Sequence, residues 1–155
     1  MFGTPVSPSQ WRLINGVAAM ILLIAAMLPV AAIPLWQNLQ SRLVLLTLCW
    51  VTAVGCVMHA LVDDTARILS LAGVLHLDFP FFASIDRRES DLQDLLLNVP
   101  WFLIEGLLWG ALGWFGLASA RTRHLWMVSG LVAIAALTVI GVLSVVGVIG
   151  KLIVG

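Results

Sequence analysis

Apolar residues run along this chain in four long blocks, at about 11–36, 43–62, 100–120 and 125–150, with short polar punctuation between them. Each block reaches the roughly 20 residues that a helix needs to cross a bilayer core. A helix satisfies its own backbone hydrogen bonds inside lipid, so the pattern predicts an all-α, polytopic membrane protein, a four-transmembrane-helix bundle forming one domain over residues 1–155. Composition supports this class. The chain is 61% hydrophobic and only 10% charged, with seven Trp and no Tyr, and its mean hydropathy is +1.08. Formal net charge is zero and no basic block is present, so no nucleic-acid partner is expected.

The first block has a second reading. One Arg, an apolar run and then small residues also describe a secretory signal, with Val30 and Ala32 placed for cleavage. The run from Leu13 to Ile33 exceeds the roughly 7 to 15 residues of a signal's apolar region, and Trp11 and Trp36 bracket it as interfacial anchors do. Retention as a transmembrane helix is the expectation. Pro29 and Pro34 then fall near its exit, where a lost backbone hydrogen bond matters least.

Between the second and third blocks, the 63–99 loop and the Pro100 that closes it hold 10 of the 16 charged residues. Its first part, to about Leu75, can prolong the second helix, with Gly73 weakening the continuation. "HLDFPFF", residues 76–82, reads as an interfacial turn. "SIDRRESDLQDLLLN" sets Leu92, Leu95 and Leu96 against Asp91, Gln93 and Asp94, which predicts a short amphipathic helix that lies in the interface or caps the bundle, with the acidic polar side favouring the cap. Asn98 is placed as N-cap of the third span, with Pro100 in its first turn. Lys and Arg near the span ends divide as Arg12, Arg67, Arg87, Arg88 and Lys151 on one side against Arg42, Arg121 and Arg123 on the other. The larger group favours both termini and the 63–99 loop in the cytoplasm.

Along the second helix, Cys49, Thr52, Cys56, His59, Asp63, Arg67 and Ser70 recur at steps of three and four, which makes one polar face. Such a face avoids lipid and turns into the bundle, as a packing seam or as a ligand or ion path. Glu105 enters the third span from the same membrane side. An ionised carboxylate facing acyl chains costs several kcal/mol, so Glu105 is expected to pack toward His59, Asp63 and Arg67 or to stay protonated. These four residues form the candidate polar cluster, structural or binding in role.

Spacing argues against sharper chemistry. Cys49 and Cys56 are two turns apart, about 10.5 Å, beyond the roughly 7 Å Cα limit of a disulfide. His59 and His124 belong to opposite membrane faces, which excludes haem held between them. Cys56, His59 and Asp63, with His76 and Asp78 in the loop, match no metal-ligand spacing. No cofactor, metal or catalytic residue is assigned. Helix-packing ridges are expected from Gly106, Gly110 and Gly113 on the third span and from Gly141, Ser144 and Gly147 on the fourth, used within the chain. Trp50 and Trp109 lie away from the aromatic belts, as packing partners or as walls of a lipid-sized cleft.

"HALVDDTARILSLAG" followed by "DRRESDLQDLLLNVPWFLIEGLLWG", within residues 59–110, resembles a small bacterial four-helix integral membrane protein family of unknown function. The resemblance implies a compact four-helix bundle in the bacterial plasma (inner) membrane, and no activity. Two functional classes follow from the residues. One is a non-enzymatic accessory or scaffold bundle whose loop meets a membrane protein partner or a second copy. The other is a small transporter or lipid-handling protein that uses the His59, Asp63 and Glu105 cluster.

Overall fold

No proline interrupts the chain between Pro34 and Pro80, and the apolar block within that interval becomes one helix, α1 (Leu39–Leu71), of 33 residues. At 1.5 Å per residue it is about 50 Å long, well beyond the roughly 30 Å hydrocarbon core. Its polar last turns therefore extend past that core, as the sequence predicts. Gly73 ends it. This residue takes a positive φ of 74°, the Gly73 N–H donates to the Ser70 carbonyl at 3.0 Å, and the Val74 N–H donates to the Leu69 carbonyl at 2.9 Å. That pair of bonds is a Schellman closure, which glycine makes without a steric penalty.

The computed structural model describes residues 39–75 and 87–149, together with five positions of the first block, Leu13, Gly16, Val17, Met20 and Met27. Those five are helical and share one exposed face. The rest of that block, including any cleavage after Ala32, and the predicted turn at 76–82 lie outside the described residues.

Next comes α2 (Arg87–Gln93). It does not end where a separate capping helix would. A π-helical turn, Asp94–Asn98, carries it directly into α3 (Val99–Gly116). Asn98 is consequently not an N-cap: its backbone is helical, with φ −72° and ψ −45°, and its side chain caps nothing. One feature that favours the π-turn sits just beyond it. Pro100 lacks an N–H and its ring presses on the carbonyl four residues back, so the preceding turn widens, and the Val99 N–H reaches the Asp94 carbonyl instead.

Leu117 leaves the helix in an extended conformation, and Ser119 accepts from the Thr122 N–H at 3.1 Å to start α4 (Ala120–Val145). The two last spans are thus shifted from 100–120 and 125–150 by the three-residue turn at 117–119. Gly147, at φ 79°, closes α4 in the same manner as Gly73 closes α1.

α1 is the centre of the assembly. Val57 meets Gly106 and Cys49 meets Gly113, so α3 runs antiparallel to it, whereas Trp50 meets Ser129 and Val62 meets Gly141, so α4 runs parallel. α3 and α4 touch each other little. A small core of Cys49, Ala53 and Trp109, flanked by Leu112 and Trp126, fills the space between the helices. Among the described residues, three helices, Arg42–Leu71, Arg88–Gly116 and Ala120–Val145, are long and apolar enough to cross a membrane.

Candidate functional site

Glycine sets the close approach of α1 and α3. A Cβ on Gly106 would lie 2.7 Å from Val57 Cγ2, and one on Gly113 would lie 2.5 Å from the Trp126 ring and 3.1 Å from Cys49 Cβ. Gly141 holds α4 to α1 in the same way, 2.6 Å from Val62 Cγ2. The predicted ridges are not uniform, however. Gly110 would meet only Ala53 Cβ, at 3.8 Å, and Gly147 meets nothing within 4 Å because it serves the helix end. Ser144 is half-buried.

With the helices this close, the polar residues of α1 reach across. Arg67 Nη2 lies 2.7 Å from Asp94 Oδ2, Nη1 donates to Asp91 Oδ1 at 3.0 Å, and Nε lies 3.4 Å from Asp63 Oδ1 one turn back. Ser70 Oγ donates to Asp91 Oδ2 and Asn98 Nδ2 donates to Asp94 Oδ1. Asp91 is 1% exposed, the most deeply buried charged group among the described residues. Such charge-assisted bonds are stronger than neutral ones, and the burial makes their geometry matter.

The π-turn decides which side chains take part. Counting back from Gly106 through Phe102 and Val99 at α-helical steps of four and three, the next positions facing α1 would be Leu95 and Leu92. The extra residue in the π-turn moves the face by one position, so Asp94 and Asp91 face α1 instead. Of the predicted apolar side, Leu96 is 67% and Leu92 39% exposed, while Leu95 is half-buried. That reverses the capping arrangement expected from the sequence. The pattern is apolar outside and ionic inside, as a helix in or near lipid requires.

Of the four cluster residues named from sequence, the structure joins Asp63 to Arg67 only. His59 packs edge-to-face on Phe102, centroids 4.6 Å apart. Glu105 is half-buried and adjoins Gly106, which packs on Cys56 and Val57, about one turn deeper than the His59 level expected from sequence. Among the described residues, no hydrogen bond or ion pair links Glu105 to His59, Asp63 or Arg67. The partners missed were Asp91 and Asp94. Their signal was present as two acids at an i, i+3 spacing in a leucine-rich segment one loop away from an arginine that needs neutralising. Cys49 and Cys56 are free thiols.

The other end of the bundle is organised differently. Arg42 Nη2 donates to the Gly116 carbonyl at 2.7 Å, and Arg123 Nε donates to the Leu117 carbonyl at 2.9 Å with its guanidinium 5.9 Å from the Trp114 ring centroid. Two cations thus satisfy the last carbonyls of α3 and oppose its dipole. Arg42 and Arg67 are 25 residues apart on α1, about 38 Å, so the two charged ends bracket a bilayer core. Between them, an apolar groove of about 360 Å³ opens where α3 and α4 diverge over α1, lined among others by Trp50, Gly110, Trp114, Trp126 and Gly130. Trp50 is therefore a groove wall, its indole N–H donating to Ser129 Oγ at 3.2 Å, whereas Trp109 is a core packing residue. No family model, curated protein or solved structure matches this chain.

Proposed function

We propose that this chain is a non-enzymatic accessory or scaffold bundle of a bacterial plasma membrane, which keeps a rigid helical hairpin in the bilayer and offers its outer faces to a membrane protein partner or to a second copy. The single observation that supports this reading is the engagement of Arg67 with Asp63, Asp91 and Asp94. Those groups tie α1 to the segment before α3, and a group held in several ion pairs is poorly suited to carry protons or ligands through a cycle. The deeper Glu105 is separated from them by about three turns of α1, measured from Cys56 to Arg67. In this reading the termini and the 63–99 loop are cytoplasmic, so the ion-paired end is the one that a cytoplasmic or membrane partner meets.

The test is a flux assay on the full chain reconstituted in liposomes. Proton and cation leak are expected to equal that of protein-free vesicles, and Glu105→Gln is expected to change nothing. A gradient-driven flux that Glu105→Gln abolishes would replace the scaffold reading with a small transporter using the intramembrane carboxylate.

A further inference from the structure

The groove between α3 and α4 has chemistry that the scaffold reading does not use. Its volume of about 360 Å³ lies within the range of roughly 300–1,000 Å³ typical of ligand sites. Its walls are aliphatic and aromatic, and its floor is α1 at Trp50, Ala53, Val54 and Val57. Gly110 and Gly130 leave the space open: a Cβ would meet Ala53 at 3.8 Å or the Trp50 indole nitrogen at 3.6 Å, both ordinary contacts. The close packing at Gly106 and Gly113 is thus relaxed at these two positions.

Charge identifies the occupant. All eight acidic residues of the chain lie between Asp63 and Glu105, so the end of the bundle that carries Arg42, Arg121, Arg123 and His124 holds no carboxylate. Arg123 rests on Trp114, which is itself a wall of the groove. Arg121 is exposed and makes no hydrogen bond or ion pair among the described residues. Trp126, another wall, follows Arg121 by five residues, about 7.5 Å along α4. An apolar slot at bilayer depth therefore opens beside uncompensated cations at the membrane surface. A helix of this chain, whether its own first block or a parallel second copy, brings no acid to that end and cannot complement it.

We propose that the groove binds one acyl chain of an anionic phospholipid whose phosphate is held by Arg121 and Arg123. Trp50, Trp114 and Trp126 contact the chain, and the small residues Gly110 and Gly130 admit it. The inference rests on the membrane-spanning arrangement and is independent of the scaffold reading.

Native mass spectrometry of the full chain, purified in mild detergent, delipidated and mixed with equal amounts of phosphatidylglycerol and phosphatidylcholine of identical chains, tests this directly. One phosphatidylglycerol per chain is expected, favoured over phosphatidylcholine by about fivefold for each arginine engaged. Arg121→Gln should reduce that preference by about the same factor, leaving the fold unchanged because this side chain makes no described contact. Gly130→Leu, checked for native helicity and melting, should lower retention of both lipids. Equal retention of the two lipids, preference unchanged in Arg121→Gln, or a lipid-free dimer as the dominant species would each overturn the assignment.

Discussion

The contact of α1 with the segment from Arg87 to Gly116 and its contact with α4 are built on different principles. The first combines an ionic lock around Arg67, a buried Trp109, the tight Gly106 against Val57, and Gly113, which sits against Cys49 as well as against Trp126 of α4. The second has one tight glycine, Gly141, and one indole-to-hydroxyl bond, and no residue of α4 is buried. Since lipid tails compete equally for apolar side chains, association inside a bilayer depends on packing and polar bonds. The hairpin has both in quantity and α4 has little of either. Stability should therefore be concentrated in the hairpin, leaving α4 and its groove as the adaptable side.

The sharpest way to break that contrast is Arg67→Met. It leaves Asp91 buried without its cation, a change that costs about 3–5 kcal/mol when the charge cannot be rehydrated. The lower end applies, since Asp94 and Asp63 keep some solvent contact. Reversible unfolding of the full chain in bicelles would show it. Overpacking comes next. Gly113→Val should cost about 1–3 kcal/mol, while Gly110→Ala should stay within about 0.5 kcal/mol, and similar costs at both would mean that the close approach is not where the glycine contacts place it. On the α4 side, Trp50→Phe removes one interhelical hydrogen bond and should cost only about 0.6 kcal/mol.

The smallest effect expected is that of Pro100→Ala. It restores a donor and removes one of the features that favour the π-turn, which makes a regular α-helix available. Reverting would gain about one backbone bond, some 0.5–1.5 kcal/mol, and would swing Asp91 and Asp94 away from Arg67 at a cost of about 3–5 kcal/mol. The ion pairs win, so the π-turn should persist with stability nearly unchanged. Amide exchange or carbonyl chemical shifts across residues 94–98 would report the geometry.

Much of this was readable from the chain. Three of the four long apolar blocks correspond to the spanning helices among the described residues, and the three-four spacing from Cys49 to Ser70 marks the face of α1 that meets α3. The sequence predicts a helix running to about Leu75 with Gly73 only weakening it, and the helix closes at Gly73 because a residue free of a Cβ adopts that φ cheaply. The site was read less well for one physical reason. Periodicity assumes a constant 3.6 residues per turn, and a π-turn adds one. Past Asn98, that single residue exchanges Leu92 and Leu95 for Asp91 and Asp94 as the inward positions, and with them the partners of Arg67. Glu105 lies on the regular side of the turn, half-buried at the level of Cys56. The expected tie to Arg67 failed because two nearer carboxylates occupy the guanidinium.

The central claim is that Arg67 locks α1 to the residues before α3 and that Glu105 stands outside the lock. Two double-mutant cycles, read as unfolding free energy in the same bicelles, test it most directly. Arg67→Gln with Asp94→Asn should show coupling of at least about 1 kcal/mol, and Arg67→Gln with Glu105→Gln should be additive within about 0.5 kcal/mol. Additivity in the first cycle with strong coupling in the second would contradict the account and make Glu105 the partner of Arg67.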